Sequence, residues 1–229
     1  MSQAALYLSL LVVIGCASTN RAISANSLRS DSFKTCSQDE ARQKERSVEL
    51  QKIVAADQKD REDFQRWTPT QAMEVLARDL ERRKRVGEIF GEGCFKSAAD
   101  FSAAALVYQH GDTPDHFYQT FIWSKRAVEL GDSKQNNLLA LGLDRYLVNT
   151  GRKQLFASQA HHGSNETCFC LQPVEKSFLD SDRVKYTNRS LAEALKWVDS
   201  LNVGKSCAPA RECDEVLQPT PSGSIPGFW

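Results

Sequence analysis

The sequence lacks a surplus of either charge. Among its 229 residues, Lys plus Arg and Asp plus Glu number 29 each, so the formal net charge is zero. Phosphate backbones are bound by a basic surplus or a basic patch, so nucleic acid is not expected as the main partner. Beyond the N-terminus the chain lacks any apolar run long enough to cross a bilayer, which takes about 20 residues. From Asp39 to Gly151 it lacks a convincing strand pattern. It also lacks a complete catalytic motif. No nucleophilic Ser or Cys motif accompanies a histidine, and no metal triad is visible, so neither metal nor cofactor is expected.

What the chain does have at its start is a short apolar run ending in small residues, "ALYLSLLVVIGCAS", the form of an export signal. Val13-Ile14-Gly15-Cys16 resembles the bacterial lipobox. That resemblance implies removal of residues 1–15, a lipid on Cys16, and a bacterial cell-envelope location. Ala17, being non-acidic, implies the outer membrane, with the protein facing the periplasm. The run departs from the pattern in having no Lys or Arg before it. Ordinary secretion and an uncleaved anchor are the alternatives.

Six further cysteines remain: Cys36, Cys94, Cys168, Cys170, Cys207 and Cys213. An even number in an exported chain points to disulfides. Cys36 is expected to pair with Cys94, and the C-terminal four among themselves. A zinc site on those four, with His161 or His162, is the rival. Its Cys-x-Cys spacing does not match the usual knuckles.

The periodicity predicts an all-α fold, a compact bundle of antiparallel helical hairpins with a loop-rich, cysteine-containing C-terminal segment. Residues 1–15 read as a signal peptide and residues 16–37, rich in Ser and Asn, as a tether. Residues 38–160 read as the helical domain. Residues 161–229 read as a disulfide-rich extension with one helix and an irregular tail. Five helices are expected in the domain: Asp39–Trp67; one after Thr68-Pro69 capped by Thr70; Ala98–His110; Asp115–Leu130; and Ser133–Thr150. Thr113 or Asp115 can cap the fourth. The third is apolar on nearly every side, so it should be central. In the extension, Ser190 and Glu193 have the spacing of a capping box.

Several charged residues interrupt the apolar stripes. Asp57 and Arg61 lie on that of the first helix, Asp79 and Arg82 (or Arg83) on that of the second, and Asp144 on that of the fifth, with Arg145 about 100° round. Buried charges need partners, so a network of Asp57, Arg61, Asp79, Arg82 and Asp144, with Arg145 near it, is expected. Register between helices is one role for it; a functional site is the other. His110 follows the apolar run of the third helix. It either closes that helix, with Gly111 as a left-handed stop, or serves as a general base held by Asp79 or Asp144. Gln109 is expected to point elsewhere.

The runs "DLERRKRV", "ADFSAAALVYQHGDTPDHF", "SKRAVELGD" and "LALGLDRYLVNTGRKQLFASQ" resemble a bacterial domain-of-unknown-function family, number 6624 in that series, over roughly residues 50–160. The matching positions are Asp79, Arg82 or Arg83, Gln109-His110-Gly111, Glu129-Leu130-Gly131, Asp144-Arg145-Tyr146-Leu147 and Gln159. The family's final Gly-Thr-Gln is altered here to Ala157-Ser158-Gln159. The resemblance implies that these residues form one site and implies no activity. A weaker similarity to tetratricopeptide and Sel-one-like repeats covers too few units for a solenoid. The expected function is thus a binding or scaffold domain of an envelope lipoprotein, its partner an envelope protein or a small anionic ligand. The alternative is a hydrolase-like enzyme with His110 as base, Asp79 or Asp144 orienting it, and Arg82 or Arg145 holding an anionic group.

Overall fold

The computed structural model describes residues 35–162 and 167–229. The signal peptide, Cys16 and nearly all of the tether lie outside them. The fold is mostly helical, with seven α-helices and a two-stranded sheet among the described residues. None of these helices is long and apolar enough to cross a membrane.

Helix α1, Glu40–Asp60, is capped by Asp39, whose side chain accepts from the Arg42 amide. It ends earlier than the periodicity implies. Arg61 sits at the C-cap, and its guanidinium donates back to the Asp57 carbonyl at 3.1 Å. A 3₁₀ turn, Phe64–Arg66, then reverses the chain. Helix α2, Pro69–Gly91, is capped by Thr68 rather than Thr70. Thr68 and Gln71 form a capping box, and Pro69 takes the first helical position, where its missing N–H costs nothing. The α1–α2 hairpin is antiparallel: Arg61 meets Asp79 at its turn, and Cys36 bonds to Cys94 at its other end.

Helix α3, Ala98–Gln109, starts from a Ser97/Asp100 capping box and stops with His110 as its C-cap. Its near-uniform apolar character places it centrally. Ala103, Ala104, Ala105 and Val107 are all buried against α1, α2 and α4. It runs parallel to α1, since Ser47 meets Asp100 and Asp57 meets His110. Gly111 does not adopt a left-handed backbone; it is not among the positive-φ glycines. A side chain there is excluded sterically, because an added Cβ would lie 2.3 Å from the His116 Cβ.

Helix α4, Pro114–Glu129, is capped by Thr113. Left-handed Gly131 and a short 3₁₀ turn lead into α5, Asn136–Asn149. These two helices pack antiparallel and close, with Tyr118 on Tyr146 and Gly142 against the backbone of Phe117 and Phe121.

The segment after Gly151 contains more order than its sequence pattern suggests. Strands β1, Ala160–His161, and β2, Cys170–Leu171, pair antiparallel. Helix α7, Leu191–Leu201, has the expected Ser190/Glu193 capping box. A further helix, α6, Asp180–Thr187, precedes it, so the extension holds two helices and not one. The α6 sequence, DSDRVKYT, has no apolar stripe. It is held instead by Arg183, which donates to the carbonyls of Leu155 and Glu175. Cys168–Cys207 and Cys170–Cys213 form the two C-terminal disulfides, so those sulfurs are not free thiolates for zinc. The terminal Phe228 and Trp229 dock on the domain, against Phe121, Phe156 and Phe178.

The close α4–α5 approach gives a direct test. A Cβ at Gly142 would lie 2.9 Å from Thr120 Cγ2 and 3.0 Å from the Phe121 amide nitrogen. Gly142→Ala is expected to destabilise by about 1–3 kcal/mol in urea denaturation, as overpacking does. Gly91→Ala has nothing within 4 Å of the new methyl. It should be neutral or stabilise by about 0.5–1 kcal/mol through helix propensity. Equal effects at both positions would show that the helix contact is not tight.

Candidate functional site

Asp57 is fully buried, and its carboxylate is the centre of the site. From α1 it meets His110 Nδ1 at 3.0 Å and Arg61 Nη1 at 3.0 Å, and it also accepts from Gln58. Arg61 continues to Asp79 at 2.5 Å, and Arg82 donates to the other Asp79 oxygen at 2.9 Å. Arg82 also holds Asp60, which Arg78 binds through two nitrogens. The result is a continuous chain of three carboxylates and three guanidiniums that ends on an imidazole. Asp79 is only 2 % exposed, so the helical phase placed it correctly on the interior face.

Electrostatics follow from this geometry. Burial alone would push the Asp57 carboxyl up. The His110 hydrogen bond and charge, with Arg61 and Gln58, reverse that and hold it below the usual range. The Arg78 hydrogen bonds lead in bringing Asp60 down to about 2, against its partial burial and with help from Arg82. Asp57 therefore accepts a hydrogen bond from Nδ1–H of His110, which leaves Nε2 as the ring nitrogen that Asp57 does not hold. His110 itself is positioned from behind: Arg83 Nη1 donates to its backbone carbonyl at 3.0 Å and Nη2 reaches Asp112.

Beside this chain lies an open groove of about 440 Å³. His110, Arg61 and Asp79 line its polar part, and Phe64, Trp67, Val75 and Leu76 its apolar part. Phe64 is 58 % and Leu76 51 % exposed, large apolar surfaces left open beside a titratable group. Among the described residues no Ser, Thr or Cys lines the groove to serve as a hydroxyl or thiol nucleophile.

The expected site thus divides into two. Asp57, Arg61, Asp79, Arg82 and His110 come together. Asp144 does not orient His110; Asp57 does. The Asp144 carboxylate, fully buried, accepts from the amides of Leu155, Phe156 and Ser158 and from the Ser158 hydroxyl. Burial pushes its pKa up to about 6, and the amide donors limit the rise. Gln159 belongs to the same loop: its side chain donates to Ser158 Oγ, and its backbone is clasped by Gln154. Gln109 is more buried than His110, at 6 % exposure, and its carbonyl is held by Arg145 at 2.8 Å. Asp60, Phe64 and Trp67 escaped the sequence reading. The i, i+3 spacing of Asp57 and Asp60, facing Arg78 and Arg82 at i, i+4, was the available signal.

Asp60 and Asp144 should leave opposite marks on stability against pH. Asp60, lowered to about 2, contributes fully above the ordinary aspartate range near pH ~4, and its contribution is lost as pH falls below that. Asp144, raised to about 6, contributes fully below pH ~4, and its contribution is lost as pH rises through its folded value. In thermal melts, Asp60→Asn should reduce the acid-side loss. Asp144→Asn should remove the decline between pH ~4 and ~6, at a cost of about 2–4 kcal/mol overall, because an amide nitrogen meets amide donors. Identical pH profiles in the three proteins would refute both assignments.

Comparison of the chain with protein-family models, with curated proteins and with solved structures finds no match.

Proposed function

We propose that this protein is a binding domain of the bacterial cell envelope, lipid-anchored at Cys16, that takes a ligand in the groove beside His110. The carrying observation is the juxtaposition of an imidazole fixed by Asp57 with exposed aromatic and aliphatic side chains. Pockets that bind small molecules combine such apolar walls with a few convergent polar groups. The ligand is accordingly apolar over part of its surface and carries a hydroxyl or amide that donates to His110 Nε2. Three disulfides support an oxidising compartment, as export through the N-terminal signal implies. The resemblance to the family of unknown function supports the same site, since its Asp79 and His110 positions line the groove and its Arg82 position holds Asp79.

A fragment screen on the full chain tests this, read by ¹H–¹³C NMR at the His110 ring. Apolar fragments bearing a donor should shift that resonance saturably, and Trp67→Ala should weaken them about tenfold, equivalent to about 1.4 kcal/mol. A screen in which no fragment moves His110 would reject the groove as a binding site.

The Asp57–His110 hydrogen bond also favours a second reading, hydrolysis with His110 as general base. With no nucleophile lining the groove, the base would act on water directly. A panel of chromogenic esters, amides and phosphoesters should then show turnover that His110→Ala lowers by about 10²–10⁴. Turnover unchanged in His110→Ala, or absent throughout, would remove the enzyme reading.

A further inference from the structure

Arg145 is a half-buried cation that no acid answers among the described residues. It projects from α5 onto the end of α3. Its Nη1 donates to the Gln109 carbonyl at 2.8 Å, and its Cζ stands 5.2 Å from the centroid of the Phe117 ring. No carboxylate among the described residues forms an ion pair with it. The arginines around the same end of α3 differ: Arg61, Arg82 and Arg83 each meet an acid. Asp144, its neighbour in sequence, is turned into the 155–158 loop and fully occupied there. Burial lowers the Arg145 pKa, with no acid to oppose it.

A guanidinium carries five N–H donors in a rigid fork that fits two oxygens of a carboxylate or phosphate. One donor is used on Gln109, and Nε and Nη2 make no hydrogen bond among the described residues. Neither is among the fully buried orphans, as Arg83 Nε is.

We infer that Arg145 is an oxyanion-binding site that takes a phosphoryl or carboxylate group through Nε and Nη2. The inference does not rest on the groove, because its geometry and its test are confined to Arg145.

The test uses the purified full chain with ¹⁵N-labelled arginine. The Nε–Hε correlation of Arg145 is assigned by its absence from Arg145→Lys. Should that variant not fold, Phe117→Leu assigns it by removing the ring-current shift. Sodium phosphate and sodium acetate are titrated against sodium chloride at matched ionic strength. The expected result is a saturable shift of this one resonance, half complete below about 10 mM. Saturation by phosphate alone names a phosphoryl ligand, and saturation by acetate as well names a carboxylate. A response to both salts that only follows the chloride ramp would overturn the proposal and leave Arg145 as the residue that closes α3.

Discussion

A carboxylate taken wholly out of water must be met by donors, and this molecule is arranged around that requirement at Asp57. An unpaired ion in the interior costs several kcal/mol even after relaxation. Asp57 is met by a helix-mate, Arg61, and by His110 from a helix it runs parallel to. Arg61 cannot serve Asp57 without also reaching Asp79 on α2. One carboxylate therefore couples the positions of three helices. Shifting α3 by one residue against α1 would rotate the His110 side chain about 100° away and strand the charge. The interaction selects a register more than it adds stability, which is the best attested role of buried ionic groups.

Asp144 solves the same problem by another route. Its donors are backbone amides of a loop, not side chains of helices. The loop must bend to present them, and Ala157 takes a positive φ of 57° to do so. That conformation is unusual for a residue with a side chain. It persists because the neighbouring amides gain a charged acceptor. Leu155 and Phe156 are thereby delivered into the second core cluster, where Phe178 and Phe228 pack on the Phe156 ring. The C-terminal segment is thus tied to the bundle by a polar anchor first and an apolar one second.

These two cases explain what could be read from the sequence. Asp57, Arg61, Asp79 and Arg82 were legible because i, i+3 and i, i+4 spacing is a local property, and so were the Ser190/Glu193 box and the apolar α3. The disulfide Cys36–Cys94 followed from grouping the four C-terminal cysteines in their loop-rich segment, which left these two. What was not legible depends on which helices meet. Periodicity places Asp57, Asp79 and Asp144 all on interior faces, but only the parallel packing of α1 on α3 makes Asp57 the partner of His110. The Asp144 partners lie in a loop without period. Gly111 fits a helix-stop signal in sequence, yet its reason is the nearby His116 side chain, which only the α3–α4 turn creates. Helix α6 was invisible because tertiary hydrogen bonds from Arg183 replace an apolar stripe.

The site lies where it does because of how weakly α1 is held by apolar packing. Across 21 residues, α1 fully buries only Leu50 and Asp57. Beyond Leu50 only the partly buried Ile53 and Val54 add apolar packing, and ionic contacts tie it to α2: the Asp57–Arg61–Asp79 chain at the turn end, and Arg42, Arg46 and Arg85 with Glu49 and Glu92 at the other. Partly exposed pairs contribute little singly, about 0–1 kcal/mol. The Cys36–Cys94 disulfide, with a sequence separation of 58, closes that second end. A loop of this length is restricted in the unfolded chain by about 4 kcal/mol. The covalent closure thus secures the hairpin at the end remote from the groove. The turn end needs no apolar seal to keep the helices together, so Phe64, Trp67 and Leu76 remain open beside His110. A hairpin zipped by an ordinary hydrophobic stripe would have buried those side chains, and with them the groove beside the imidazole.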